Sequence, residues 1–356
     1  MGATLLSLER FIPPYSYAQE DVVSWVRRWI EADPTPKARR LLSVYESAGV
    51  RRRGSIVPID QVFAPGDFET QNDRYGAAAR KAAADVAGRA VERSGLSTRE
   101  IEMLVSVSCT GFMIPAVDAH IANELGLGPR LVRLPITESG CAGGVVGLAR
   151  ALDYLEAHPG GAALVVAVEL ASLTFQPWDR SPANVVSVAI FGDGGAAAVL
   201  VGSRHPRSGS GLARIQDAGS LFFPGTSHLM GFRLRNSGLQ IILDRTLSPF
   251  VHREIVPAVD GFLGARGLSR GDVEAWVLHP GGRRVLEAMG DALGLGSEQM
   301  RATETVLSEN GNMSSVTVLF VLDEILRKHA PRSGARGLMA AFGPGFGAEL
   351  ALVEFS

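Results

Sequence analysis

One internal repeat limits what this 356-residue chain can fold into more than any other feature of it. The octet Gly95-Leu96-Ser97-Thr98-Arg99-Glu100-Ile101-Glu102 returns 172 positions later as Gly267-Leu268-Ser269-Arg270-Gly271-Asp272-Val273-Glu274. A helical segment precedes each copy, over 75–93 and 249–266. An apolar run with the length of a buried strand follows each, over 103–107 and 275–278. In the same register, Glu138-Ser139-Gly140-Cys141 and Glu309-Asn310-Gly311-Asn312 stand 171 positions apart, and each opens a long apolar helix. Phe191-Gly192-Asp193-Gly194-Gly195 and Phe342-Gly343-Pro344-Gly345 then lead into Gly/Ala/Val/Leu strands, now only 151 positions apart. The second half has therefore lost about 20 residues between these points. The pattern predicts an α/β protein of two halves, 1–205 and 206–356, each with a mostly parallel sheet. The link is expected at 203–211, where Pro206, Gly209 and Gly211 interrupt the pattern.

Bulk properties exclude several function classes. The composition is 46% hydrophobic and 20% charged with 41 glycines, that of a globular protein large enough for two cores. A formal charge of -2 leaves no basic excess for nucleic acid, although a local basic cluster can hold one phosphorylated ligand. The two cysteines, Cys109 and Cys141, are 32 residues apart and match neither a metal-ligand spacing nor a disulfide framework, so a reducing cytoplasm is expected. Residues 1–14 lack a signal-peptide pattern, and no uncharged apolar run reaches membrane-spanning length.

The repeat also points to one site. In a duplicated α/β protein the equivalent helix starts can face each other, which brings Cys141 near Asn312. His279 ends a second-half strand, at Leu278-His279-Pro280-Gly281-Gly282, where such folds bind ligands. Cys141 lies in Ser139-Gly140-Cys141-Ala142-Gly143-Gly144, whose small residues let a thioester approach. In the first turn of a helix its thiolate is favoured by the backbone N–H groups, and an ion pair with His279 would favour it further. A small buried core thiol is the bland reading. Asn312 can cap its helix and still aim its amide outward. The other six histidines read as ordinary core or surface residues.

Gly140-Cys141-Ala142-Gly143-Gly144, His279-Pro280-Gly281-Gly282, Gly311-Asn312-Met313-Ser314-Ser315 and Phe342-Gly343-Pro344-Gly345 together resemble the signatures of type III polyketide synthases, the chalcone synthase superfamily. The resemblance covers nearly the whole chain. It implies a homodimeric thiolase-like fold, duplicated and layered α-β-α-β-α. It further implies CoA thioesters as substrates, with no metal or redox cofactor. By that resemblance Cys141 accepts the acyl group, while His279 and Asn312 hold the malonyl thioester carbonyl as decarboxylation makes an enolate. Phe191 matches a gatekeeper aromatic between CoA tunnel and cavity. Ile241 stands where the family has a second aromatic, and Thr174, Ser187 and Cys109 fall at cavity positions. A cysteine at 109 is similar to bacterial tetrahydroxynaphthalene synthases, and it reads either as a second reactive thiol or as packing. Ile114-Pro115 falls where the family reaches into the partner subunit. Arg40, Gly281 and Arg284 are the CoA-binding candidates.

The runs at 141–149 and 168–176 look closest to bacterial alkylpyrone and alkylresorcinol synthases, which implies a fatty acyl-CoA starter extended with malonyl-CoA. Naphthalene-type and chalcone-type products stay open. So do a single-step ketoacyl synthase and a non-catalytic thiolase-fold binding protein.

Overall fold

The structure, a computed structural model, describes residues 2–31, 42–64 and 66–356. The repeated octet shows how the chain builds both halves by the same local rules. Gly95 takes a left-handed conformation (φ 70°) that ends the helix Phe68–Ser94, and Gly267 does the same (φ 68°) after the helix Leu247–Gly264. Ser97 and Glu100 then form a capping box on a short 3-10 turn, with the Ser97 N–H donating to Glu100 at 2.7 Å. Ser269 and Asp272 repeat it at 2.8 Å. Each turn delivers the chain into a strand.

Thirteen strands are numbered here in chain order among the described residues: β1 Ala3–Phe11, β2 Tyr15–Ala18, β3 Arg52–Ser55, β4 Ile101–Val107, β5 Val132–Ile136, β6 Ala162–Leu170, β7 Asp193–Val201, β8 Ala213–Phe222, β9 Met230–Arg235, β10 Gly238–Leu243, β11 Ala275–Leu278, β12 Arg336–Gly343 and β13 Gly347–Phe355. Nine make one sheet in the order β11-β12-β13-β8-β1-β7-β6-β4-β5. Read outward from the β1–β8 seam, the two sides carry equivalent strands in mirrored order, so the duplication is written in the topology. The seam itself is a short ladder, Ala3–Leu5 against Ala213–Ile215.

One expectation changes. The sheet is not mostly parallel: only β4–β5, β4–β6 and β11–β12 run parallel, and the other neighbours are antiparallel. The reason is that β6→β7 and β12→β13 reverse direction between neighbours rather than crossing over. The first reversal takes residues 171–192 and contains the helix Pro182–Ile190; the second takes only 344–346. That difference is the shortening read from the repeat. In addition, where the first half has β5, the second has the helix Ser297–Asn310.

Helices Gly143–Ala157 and Thr317–Glu324 share one core with the inner faces of both sides of the sheet, and every residue of the latter helix is buried. Phe68–Ser94 covers the outer face of the first half, and Leu247–Gly264 with Arg283–Leu293 covers that of the second. These are the five layers of a duplicated thiolase-like fold. No described helix is long and apolar enough to cross a membrane.

Candidate active site

Where the two central helices begin, the halves press backbone against backbone. Cys141 sits in a 3-10 turn, Gly140–Ala142, just ahead of the helix Gly143–Ala157. Asn312 precedes the matching turn Ser314–Val316, ahead of Thr317–Glu324. Both turns need unusual backbone: Gly140 has φ 50° and Ser314, which is not a glycine, has φ 49°. A Cβ on Gly140 would lie 2.6 Å from Pro344 Cδ, and one on Gly144 would overlap the Ser315 carbonyl oxygen. The small residues around Cys141 therefore let the second half approach, and Gly140 also lines the cavity beside Cys141.

This contact brings the candidates together. Cys141, His279, Asn312, Gly281, Phe191, Cys109, Thr174, Ser187 and Ile241 all line one cavity of about 380 Å³. His279 follows β11 and is fixed by its N–H donating to Ala340 O at 2.9 Å. The Asn312 amide is held at both ends. Its Oδ1 accepts from the Ser314 N–H at 2.8 Å, and its Nδ2 donates to Gly281 O at 2.9 Å. The cap position expected at Asn312 falls instead on Met313, one residue on, while Asn312 still lines the cavity. The Thr174 and Ser187 hydroxyls already donate to the carbonyls of Ala171 and Asn184, at 2.9 and 2.7 Å, so these residues add little free polarity to the wall. The hairpin β9–β10 pairs Ile241 with Phe232 and Leu239 with Leu234, and all four line the cavity although Leu234 is largely exposed. Arg40 lies outside the described residues. Arg284 is exposed on the first turn of Arg283–Leu293 and does not line the cavity; its neighbour Val285 does.

The electrostatics differ from expectation. Burial pushes the Cys141 thiol up to about 11, partly offset by hydrogen bonds with Ser314 and Asn312. Burial likewise pushes His279 down to about 3, and neither ring nitrogen has a hydrogen-bond partner among the described residues. Both shifts favour the uncharged forms, the opposite direction from the thiolate–imidazolium pair anticipated from a helix start. Enclosure outweighs the helix terminus, because both charged forms lose water.

Sequence reading missed Glu169, the fully buried acid beneath both cysteines. It accepts hydrogen bonds from the Cys109 N–H (3.0 Å), the Thr110 hydroxyl (2.9 Å) and the Ser315 hydroxyl (2.6 Å). The Cys109 thiol donates to it at 3.4 Å, and burial raises its pKa. The signal was present: a lone acid inside the apolar run Ala162–Leu170. Ser314 was also unassigned, yet it shares a 3.3 Å hydrogen bond with Cys109 and bonds Cys141 as well.

A buried thiol, an unpartnered imidazole and an anchored amide around an apolar cavity suit acyl transfer followed by carbanion chemistry at a thioester. Comparison with known proteins agrees. The N-terminal domain of chalcone and stilbene synthases matches residues 2–205, and their C-terminal domain matches 214–355. A 1,3,6,8-tetrahydroxynaphthalene synthase of Streptomyces peucetius is 35% identical over 99% of this chain and 93% of its own length. An alpha-pyrone synthesis polyketide synthase-like protein of Mycobacterium tuberculosis, Pks18, is 31% identical over 86% of this chain and 80% of its own length. The crystal structure of tetrahydroxynaphthalene synthase from Streptomyces coelicolor superimposes with a TM-score of 0.93, at 32% identity and 99% coverage of both chains. With both domains matched in order, the chain belongs to the chalcone and stilbene synthase family. It is a type III polyketide synthase, a transferase that condenses malonyl-CoA units.

Proposed function

We propose that this synthase primes with a fatty acyl-CoA, extends it with malonyl-CoA and closes the product to an alkylpyrone or phenolic lipid. The carrying observation is the aliphatic wall: Leu239, Ile241, Leu243, Leu247 and Val251 line the same cavity as Cys141. An alkyl chain displaces water there at a gain of about 0.8 kcal/mol per buried CH₂.

In this reading the Cys141 sulfur attacks the starter thioester, its proton passing to neutral His279 and then to the departing CoA thiolate. Malonyl-CoA next enters with its thioester oxygen toward His279 and the Asn312 amide. The bond to the carboxylate breaks, carbon dioxide leaves, and the electron pair forms an enolate whose oxygen those donors stabilise. The carbanion carbon attacks the Cys141 thioester, the C–S bond breaks, and the lengthened chain is free to return to Cys141. Phe191 stands beside Asn312 as gatekeeper, with Cys109, Thr174 and Ser187 shaping the cavity. Arg40, Arg284 and Gly281 remain the candidates for CoA contact, and a homodimer is part of the same proposal.

Mass spectrometry of products from malonyl-CoA with an acyl-CoA panel tests this. Products carrying the fatty starter are expected; a tetrahydroxynaphthalene made equally well with malonyl-CoA alone would overturn it. That second reading has its own support in Cys109, which faces the cavity, and in the naphthalene-synthase relatives.

A further inference from the structure

The helix Pro182–Ile190 ends beside the cavity, and its last carbonyls have no partners within the helix. They are satisfied from outside in a divided way. Arg53, on β3 and only 6% exposed, donates to Phe191 O at 3.0 Å, to Ala189 O at 2.8 Å and to Val188 O. The carbonyl it leaves, Ile190 O, accepts the backbone N–H of Asn312 at 2.7 Å. Gly192 N–H returns a bond to Asn312 O at 3.0 Å, so Phe191 and Asn312 form an isolated parallel bridge. Gln19 completes the clamp: its Oε1 accepts from Arg53, and its Nε2 donates to Ala189 O at 3.1 Å. A fixed guanidinium at a helix C-terminus meets both the unpaired carbonyls and the negative end of the helix dipole.

We infer that Arg53 is a positioning residue for decarboxylation: it fixes the helix end on which the Asn312 backbone is registered, and through it the aim of the Asn312 amide. The inference rests on the role proposed above for Asn312. Arg53 touches neither Asn312 nor the main cavity, so its effect must travel through Val188–Phe191. A lysine keeps the charge but cannot reach three carbonyls and Gln19 from one planar fork.

The test compares Arg53→Lys, Gln19→Leu and Asn312→Ala with the wild type. Carbon dioxide release from malonyl-CoA (kcat and KM), alkylation of Cys141 by iodoacetamide, and thermal melting are measured for each. Arg53→Lys is expected to lower kcat about ten- to a hundredfold, the scale of a misplaced catalytic group, with KM and alkylation within about threefold. Gln19→Leu should move kcat the same way by a smaller factor. Wild-type kcat in both, or a kcat loss matched by the loss of alkylation, would overturn the inference. If Arg53→Lys does not fold, Gln19→Leu decides alone. Undiminished release from Asn312→Ala would remove the Asn312 role and this inference together. A silenced Asn312→Ala beside unaffected clamp variants would remove the inference only.

Discussion

At the residue scale the central question is where protons sit before substrate arrives. Burial raises the Cys141 pKa and lowers that of His279, so both shifts favour the uncharged forms at neutral pH. The thiolate fraction then grows as pH rises toward about 11. Iodoacetamide alkylation of the free enzyme is accordingly expected to accelerate from pH 7 through pH 10. A rate already level across that range would mean a preformed ion pair. Cys141→Ala should abolish polyketide formation yet retain malonyl-CoA decarboxylation, because His279 and Asn312 are untouched. Loss of carbon dioxide release in a folded variant would argue against that division of labour. The identity of these three residues was legible in sequence, since short motifs fix residue type and order. Their protonation was not, because desolvation depends on what encloses a group, and the enclosing residues come from both halves of the chain.

At the element scale, the two turns that open the central helices do the assembling. Gly144→Ala would drive a methyl group into the Ser315 carbonyl, which is backbone and cannot swing away. A destabilisation of about 1–3 kcal/mol is expected, seen as a lower denaturant midpoint, and an unchanged midpoint would show that the halves do not press together there. The β9–β10 hairpin sets the wall. Ile241→Trp should shift the accepted starters toward shorter chains in a product profile, and an unaltered profile would take Ile241 out of the binding surface. The repeated octets, their strands and the site of the deletion could all be read from the sequence because they are local. The hairpin's role, the Glu169 network and the Arg53 clamp could not, since each depends on partners more than 30 residues away. The parallel-sheet expectation failed for a related reason: buried strands of either direction show the same continuous apolar runs.

At the scale of the whole molecule, the sheet ends at β5, whose outer edge carries no strand among the described residues and exposes Val132. Ile114, close in sequence to Cys109, is fully exposed. An open edge and an exposed apolar side chain each invite a second copy. The protein is expected to sediment at about twice 37.7 kDa, and a monomer at micromolar concentration would count against the homodimer.

The mirrored strand order carries a historical consequence. Cysteine and asparagine occupy corresponding turns on opposite sides of the β1–β8 seam, so a single ancestral unit carried one residue at that place. Two identical copies brought together would have presented two thiols or two amides, never one of each. Dividing the labour between attack and charge stabilisation therefore required two copies of different sequence, which the duplicated chain supplies within one molecule.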